Sequence, residues 1–530
     1  MRRLIITTVV LFVAVIAVTV AYFKNLNTLG LHTSETMRYI PDDAALVFEF
    51  KNDDGFYDIF AGNKLFAAVV GQKQISELDT LRRQLLTVAP LKQFFTGQNT
   101  FISLHPVLGK TVEILITATA AKGFKPQELD KIPGQSNKTL LVSPLTIDGK
   151  RGYSIYSGVL KKRFYLLNKA NGLYIASFSK ELIDQSARYQ PKKDETNFLA
   201  LPDQQNNNSL ANLYINYGRL NMLFATVFKN KNTEIFKSFK LLSAKAALNL
   251  NFKSDALLFT GFSNIEHDQP AGYLNLFANQ EPIVNQLQAI FPSTTAYSMS
   301  FAVSDAKKFK TDLSAWQVKA KLQSQKDSLF AKVKAETGLS LISEFNNALG
   351  HEFATITTRY QEHYAIISLN DGSAFKPVMV NISQMTTSDI GQISYRKLPF
   401  FLLGDAFSHF DHPWFIVLDN YLILANSESE ITSYNDTYLN HKFQSKLPLY
   451  NQFNKLTSER GNVAWYINFK NAQPILKRDL ANDFYNNFEC DETGWKNFYA
   501  ASYQLVAADK NFYTSFCLSL NQPDTTSKVR

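Results

Sequence analysis

NGLYIASFSKELIDQSARY at residues 171–189 returns as NYLILANSESEITSYNDTY at residues 420–438, 249 positions later. In each copy a short apolar run, residues 173–176 and 422–425, meets a polar segment with helical spacing, so each reads as a strand leading into a helix. Ser427 and Glu430 make the S-x-x-E pattern of a capping box, which marks the start of the second of these helices. Five further matches keep the same order. IPDDAALVFEF from Ile40 answers FPSTTAYSMSF from Phe291, and Phe101-Ile102-Ser103 answers Phe353-Ala354-Thr355. Phe124-Lys125-Pro126 answers Phe375-Lys376-Pro377, and residues 213–217 answer 465–469. Phe259-Thr260-Gly261-Phe262 answers Tyr513-Thr514-Ser515-Phe516. A single match would be noise. Six in one order, all at offsets of 249 to 254, indicate a duplicated unit of about 230 residues.

The two copies support one secondary-structure reading. Leu46, Phe48 and Phe50 alternate with Val47 and Glu49, and Tyr297, Met299 and Phe301 alternate with Ser298 and Ser300. Period two with one polar face predicts half-buried strands of an antiparallel sheet. Residues 305–334 place Phe309, Leu313, Trp316 and Ala320, then Leu329, Phe330 and Val333, at helical spacing. Each copy ends in a predicted hairpin, with turns near Lys253-Ser254-Asp255 and Ala508-Asp509-Lys510. The stretch joining the copies is apolar, with Leu274, Leu276, Phe277, Ile283, Val284 and Leu287, so it is predicted to pack rather than to act as a loose spacer. Glu281-Pro282 reads as the first turn of a helix there.

Residues 4–23, LIITTVVLFVAVIAVTVAYF, carry no charge. At about 1.5 Å per residue, twenty residues span roughly the 30 Å of a bilayer's hydrocarbon core. Arg2 and Arg3 precede the run, and positive charge stays cytoplasmic, so the segment reads as a signal anchor. A cleaved signal peptide is the rival, but its apolar core is usually only 7–15 residues.

The expected architecture is therefore α+β: an N-terminal transmembrane helix followed by two tandem copies of a mainly antiparallel sheet-plus-helices domain. The boundaries are 1–3 for a cytoplasmic tip, 4–23 for the helix and 24–38 for a juxtamembrane linker. Repeat domain 1 then covers 39–266, a packed linker 267–290, repeat domain 2 291–521 and a tail 522–530. The expected location is the inner membrane, single-pass, with the body in the periplasm.

Composition bounds the chemistry. With 45% hydrophobic and 19% charged residues the chain has material for real cores and is not disordered as a whole. The net charge is +9, two units of it before the apolar run. The densest basic run, Lys161-Lys162-Arg163, reads first as solvated surface, with attraction to acidic polymers or lipid headgroups as the alternative. No aromatic-spaced basic stripe points to nucleic acid. Two cysteines, Cys490 and Cys517, exclude a disulfide scaffold but could pair with each other. That bond would close a loop worth about 3.5 kcal/mol in the chain-entropy model.

Three motifs carry a resemblance: Ile40-Pro41-Asp42-Asp43-Ala44-Ala45-Leu46, the run Tyr421-Leu422-Ile423-Leu424-Ala425-Asn426-Ser427 before a helix, and Asn462-Val463-Ala464-Trp465-Tyr466-Ile467-Asn468. Together they resemble a domain-of-unknown-function family of membrane-anchored envelope proteins of Bacteroidota-type bacteria. The resemblance covers most of the chain through diffuse motifs and implies an envelope role without catalytic residues.

Catalytic signatures are sparse. His409, Asp411 and His412, with Asp405 upstream, are the best metal-ligand candidates, because residues i and i+3 share a helix face. Pro413 and the crowding aromatics Phe407, Phe410 and Trp414 favour an aromatic loop instead. Ser177 with Lys180, and Ser304 with Lys307, match S-x-x-K but lack the companion elements of serine acyl transfer. The resulting expectation is a non-enzymatic binding or scaffolding protein, without cofactor or metal, whose partners are the membrane and an envelope protein or polymer. A carrier of an apolar ligand in an aromatic-lined cavity and a hydrolase with unrecognised residues are the alternatives.

Overall fold

The computed structural model describes residues 35–52, 80, 97–107, 111–121, 124–131, 140–170, 172–191, 211–229, 242–252, 255–266, 272–490 and 494–521. The first half supplies strands β1 (Leu46–Lys51), β2 (Asn99–Val107), β3 (Thr111–Thr119), β4 (Leu140–Ile147) and β5 (Lys150–Ser157). It continues with β6 (Lys162–Ala170), β7 (Leu173–Ser177), β8 (Ala211–Asn216), β9 (Ala244–Phe252) and β10 (Ala256–Ile265). After the two-residue β11 (Ile283–Val284) come β12 (Thr295–Ala302), β13 (Leu349–Thr358), β14 (His363–Leu369), β15 (Ser383–Met385) and β16 (Gly391–Ile393). The chain closes with β17 (Trp414–Leu418), β18 (Tyr421–Ala425), β19 (Arg460–Gly461), β20 (Val463–Asn468), β21 (Phe498–Ala508) and β22 (Asn511–Leu520).

Apart from the small β11–β19 ladder, these strands form one sheet of 20 strands, every pairing antiparallel. In the first half the spatial order is β4, β5, β6, β7, β3, β2, β1, β8, β9, β10. From β10 the sheet passes to β22 and continues as β21, β20, β12, β13, β14, β18, β17, β16, β15. Read inward from each outer edge, the two halves carry the same order. The seam is symmetric residue by residue: Phe259 faces Phe516, Thr260 faces Ser515, Gly261 faces Thr514 and Phe262 faces Tyr513. Phe259 thus meets the counterpart of Phe262 and Thr260 that of Gly261, and the reverse, as in an isologous dimer held in one chain.

Gly261 is required where the seam strand β10 lies against β9. An added Cβ would fall on the Ala247 carbonyl oxygen and lie 2.9 Å from Leu248 Cα. Beside it the buried hydroxyls of Tyr217, Ser263 and Thr514 form a chain, with Ser263 Oγ 3.0 Å from Tyr217 and 2.7 Å from Thr514. The Tyr217 hydroxyl also bonds Tyr503 of β21, so polar groups from both halves satisfy one another.

The largest core runs through both halves. It joins Leu248, Leu250 and Phe259 to Leu505, Phe512 and Leu518, and then to Phe301, Phe309 and Phe353. The connecting stretch belongs to it: Tyr273, Leu274, Leu276 and Phe277 are buried on a 3-10 helix, Tyr273–Asn279. Glu281-Pro282 does not begin a helix; it precedes β11, which pairs with β19. Helices lie over the sheet where the sequence places amphipathic segments. Ala306–Lys319 starts at the Asp305 cap and buries Phe309 and Leu313, but it breaks before a second helix, Gln323–Thr337. Lys321 at φ 59° makes the break. Glu428–Leu439 opens with the capping box of Ser427 and Glu430.

Two expectations are corrected here. The first is two tandem domains with a sheet each: the described strands make a single sheet, because β10 and β22 are both edge strands of their halves and pair. The second is the transmembrane helix, with the single-pass inner-membrane location drawn from it. Among the described residues no helix is long and apolar enough to cross a membrane. Gln323–Thr337, at 15 residues, is the longest of them and falls short of the roughly 20 residues a crossing takes. Residues 4–23, the basis of that expectation, lie outside the described residues.

Candidate functional site

Ser103 and His105 are two residues apart on β2 and therefore project from the same face of the sheet. Ser103 Oγ lies 2.7 Å from His105 Nε2. His105 Nδ1 lies 2.8 Å from Asp43 Oδ1, in the turn that leads into β1. Asp43 Oδ2 also accepts Gln185 Nε2 at 3.1 Å, from the helix Lys180–Arg188, and Tyr189 donates to Asp42 at 2.8 Å. Burial pushes the Asp43 carboxyl up, but the hydrogen bond and charge of His105 and the Gln185 amide outweigh it, so its pKa lies below the ordinary carboxylate value. The order carboxylate, imidazole, hydroxyl is that of a serine nucleophile relay, in which the acid orients the ring and the ring takes the hydroxyl proton.

Access decides what this relay can do. Ser103 and His105 are each 0% exposed. The Ser103 hydroxyl donates to the Leu115 carbonyl at 3.3 Å. A reacting carbonyl must come to about 3 Å from the nucleophile, and no side of Ser103 is open to one. The trio instead ties the 41–45 turn to β2 and to the helix that covers it. Glu49, on the same face of the sheet, works alike: its carboxylate is buried and accepts Asn99 Nδ2 at 3.0 Å, Asn212 Nδ2 at 3.2 Å and the Tyr214 hydroxyl at 2.7 Å.

This cluster escapes a search for recognised motifs. S-x-H within a strand and an aspartate 62 residues earlier form no fixed pattern. Comparing the two copies also hides it, because Ser103, His105 and Asp43 align with Thr355, Thr357 and Thr294.

The residues singled out from the sequence are not brought together. Asp411 pairs with Arg396, Nε to Oδ2 2.6 Å, while exposed His412 contacts Gln392 at 3.2 Å. His409 turns elsewhere and lies against His363 of β14, ring centroids 4.5 Å apart. Among the described residues no three His, Cys, Asp or Glu side chains converge as a metal would require. Ser177 is spent on the Ile114 carbonyl at 2.7 Å, and Ser304 on Gln280 at 3.2 Å, so neither S-x-x-K serine has a lysine partner. Cys517 is buried in β22 opposite Ser502 and Leu258, Cys490 is exposed beyond the helix Asn482–Glu489, and no disulfide joins them.

Two cavities bounded by described residues are water-sized. One, about 20 Å³, is apolar and lined by Phe345, Ile367, Phe375, Met379, Leu403 and Leu424. The other, about 10 Å³, is bounded by Ser298, Ser300, Gln444, Tyr450, Ser502 and Gln504. Ligand pockets are typically some 300–1,000 Å³. No family model, curated protein or solved structure matches the chain.

Proposed function

We propose that the chain is a non-enzymatic binding or scaffolding protein that acts as one twin-lobed platform. The seam carries this reading. Strands β10 and β22 pair over eight residues, Ala256 to Ser263 against Ser519 to Phe512, and the core continues through the junction. A sheet grown this way fixes the surfaces of the two halves relative to one another for a partner, whereas an enzyme would need an open cleft at its reactive groups. The sealed Ser103 hydroxyl supports the same reading.

The deciding experiment uses a fluorophosphonate, which labels serines activated by an adjacent base. On the folded full-length protein no adduct is expected at Ser103. An adduct at Ser103 that disappears in His105→Gln, together with ester hydrolysis lost in the same variant, would place the chain among hydrolases and overturn the proposal.

A further inference from the structure

One stretch of the sheet carries dense positive charge with no acidic residue of its own. Residues 149–180, which make β5, β6 and β7, contain seven Lys and Arg and no Asp or Glu, against +9 for the whole chain. Lys150 and Lys169 are held within the fold, and Arg151 makes an ion pair at the surface. Lys150 bonds Asp148 and the Ala187 carbonyl, and Arg151 pairs with Asp130. Lys169 is buried against the carbonyls of Ser186, Ala187 and Tyr189 at the end of a helix. The other four, Lys161, Lys162, Arg163 and Lys180, are exposed.

Apolar surface lies among these cations. Val159, 56% exposed, sits at the apex of the β5–β6 turn, where small polar residues are the rule. The turn is shaped by Ser157 Oγ accepting Leu160 N at 3.2 Å and by Lys161 at φ 52°. Phe178 and Ile114 are exposed at the same strand ends, and the Ser177 hydroxyl beside Phe178 bonds the Ile114 carbonyl. Lys162 Nζ stands 5.8 Å from the centroid of the Phe178 ring. The fold itself does not call for such a tip. In the second half the matching link between β16 and β17 carries the helix Leu398–Leu403, whose Leu398 and Leu403 are buried in the core.

We propose that the β5–β6 tip docks on an anionic phospholipid surface, with Lys161, Lys162, Arg163 and Lys180 at the headgroup phosphates and Val159, Phe178 and Ile114 entering the acyl boundary. Charge complementarity selects an anionic partner, and the exposed aliphatic groups select a bilayer over a soluble polyanion, which would leave them in water. The contact uses none of residues 4–23 and stands apart from the platform reading.

A local probe separates this contact from any other. In the full chain carrying Cys490→Ser, Val159→Cys is labelled with an environment-sensitive fluorophore, and Leu439→Cys, on the second half and 67% exposed, serves as a control. With vesicles of phosphatidylglycerol and phosphatidylcholine the label at 159 is expected to shift to the blue, and the label at 439 is not. Adding Lys161→Glu, Lys162→Glu and Arg163→Glu should weaken the apparent affinity at least about 100-fold, each surface cation being worth about a factor of five, and salt should do likewise. The proposal is overturned by an unchanged label, by an equal shift on pure phosphatidylcholine, or by a shift indifferent to the three reversals. It is overturned equally if heparin or RNA moves the label and anionic vesicles do not.

Discussion

His363 shows how a single side chain couples this fold to pH. Burial, then the neighbouring His409 ring and the Arg478 guanidinium, hold its pKa down to about 4 from 6.5. The ring stays neutral in the folded chain while an unfolded chain takes up a proton below pH 6.5, so its stabilising contribution is complete above that value and is lost as pH falls toward 4. Denaturant melts at pH 7 and pH 4.5 should therefore differ less for His363→Gln than for the parent, by about 2–3 kcal/mol. Equal pH dependence in the two would show that the ring is solvated. Glu49 tests a different property of one residue. Glu49→Leu leaves the donors of Asn99, Asn212 and Tyr214 facing an apolar group. A loss of about 1–3 kcal/mol in urea unfolding is expected, the cost of stranding the buried Tyr214 donor, since Asn99 and Asn212 can turn to water.

At the scale of elements the seam strands matter most. Outer edge strands here are blunted: β15 has three residues, and β4 carries Pro144. The inner edges β10 and β22 are long and regular, and each finds the other. Gly261→Ala places a Cβ against the β9 backbone, which has little room to move inside a ladder. Overpacking of this kind costs typically 1–3 kcal/mol. The amides of β10 and β22 should then lose hydrogen-exchange protection ahead of those of β2 and β13. Uniform loss across all four strands would contradict the local account.

For the whole molecule, continuity of sheet and core predicts that the two halves unfold together. Calorimetry on the full chain should give one transition with calorimetric and van't Hoff enthalpies in agreement. Combining Gly261→Ala with Phe516→Lys, which puts a charge opposite Phe259, should split it in two. Two resolved transitions in the parent protein would instead make the halves independent bodies and remove the basis of the platform.

Residue order alone determined the local features. The alternation of Leu46, Phe48 and Phe50 and of Tyr297, Met299 and Phe301 marked strands, and Ser427 with Glu430 marked a helix start, because those signals are complete within a few residues. Tertiary structure decided what covers each face. Glu49, Ser298 and Ser300 read as the solvated side of half-buried strands, yet all are buried, Glu49 with its own donors. Alternation reports that two faces differ, not what lies over them. The meeting of Ser103 and His105 with Asp43 was equally illegible, since it joins a turn to a strand about 60 residues on. So was the joining of β10 to β22, across about 250 residues, because strand pairing is made by backbone groups that every residue carries except for the proline N–H, and it leaves no signature in side-chain order.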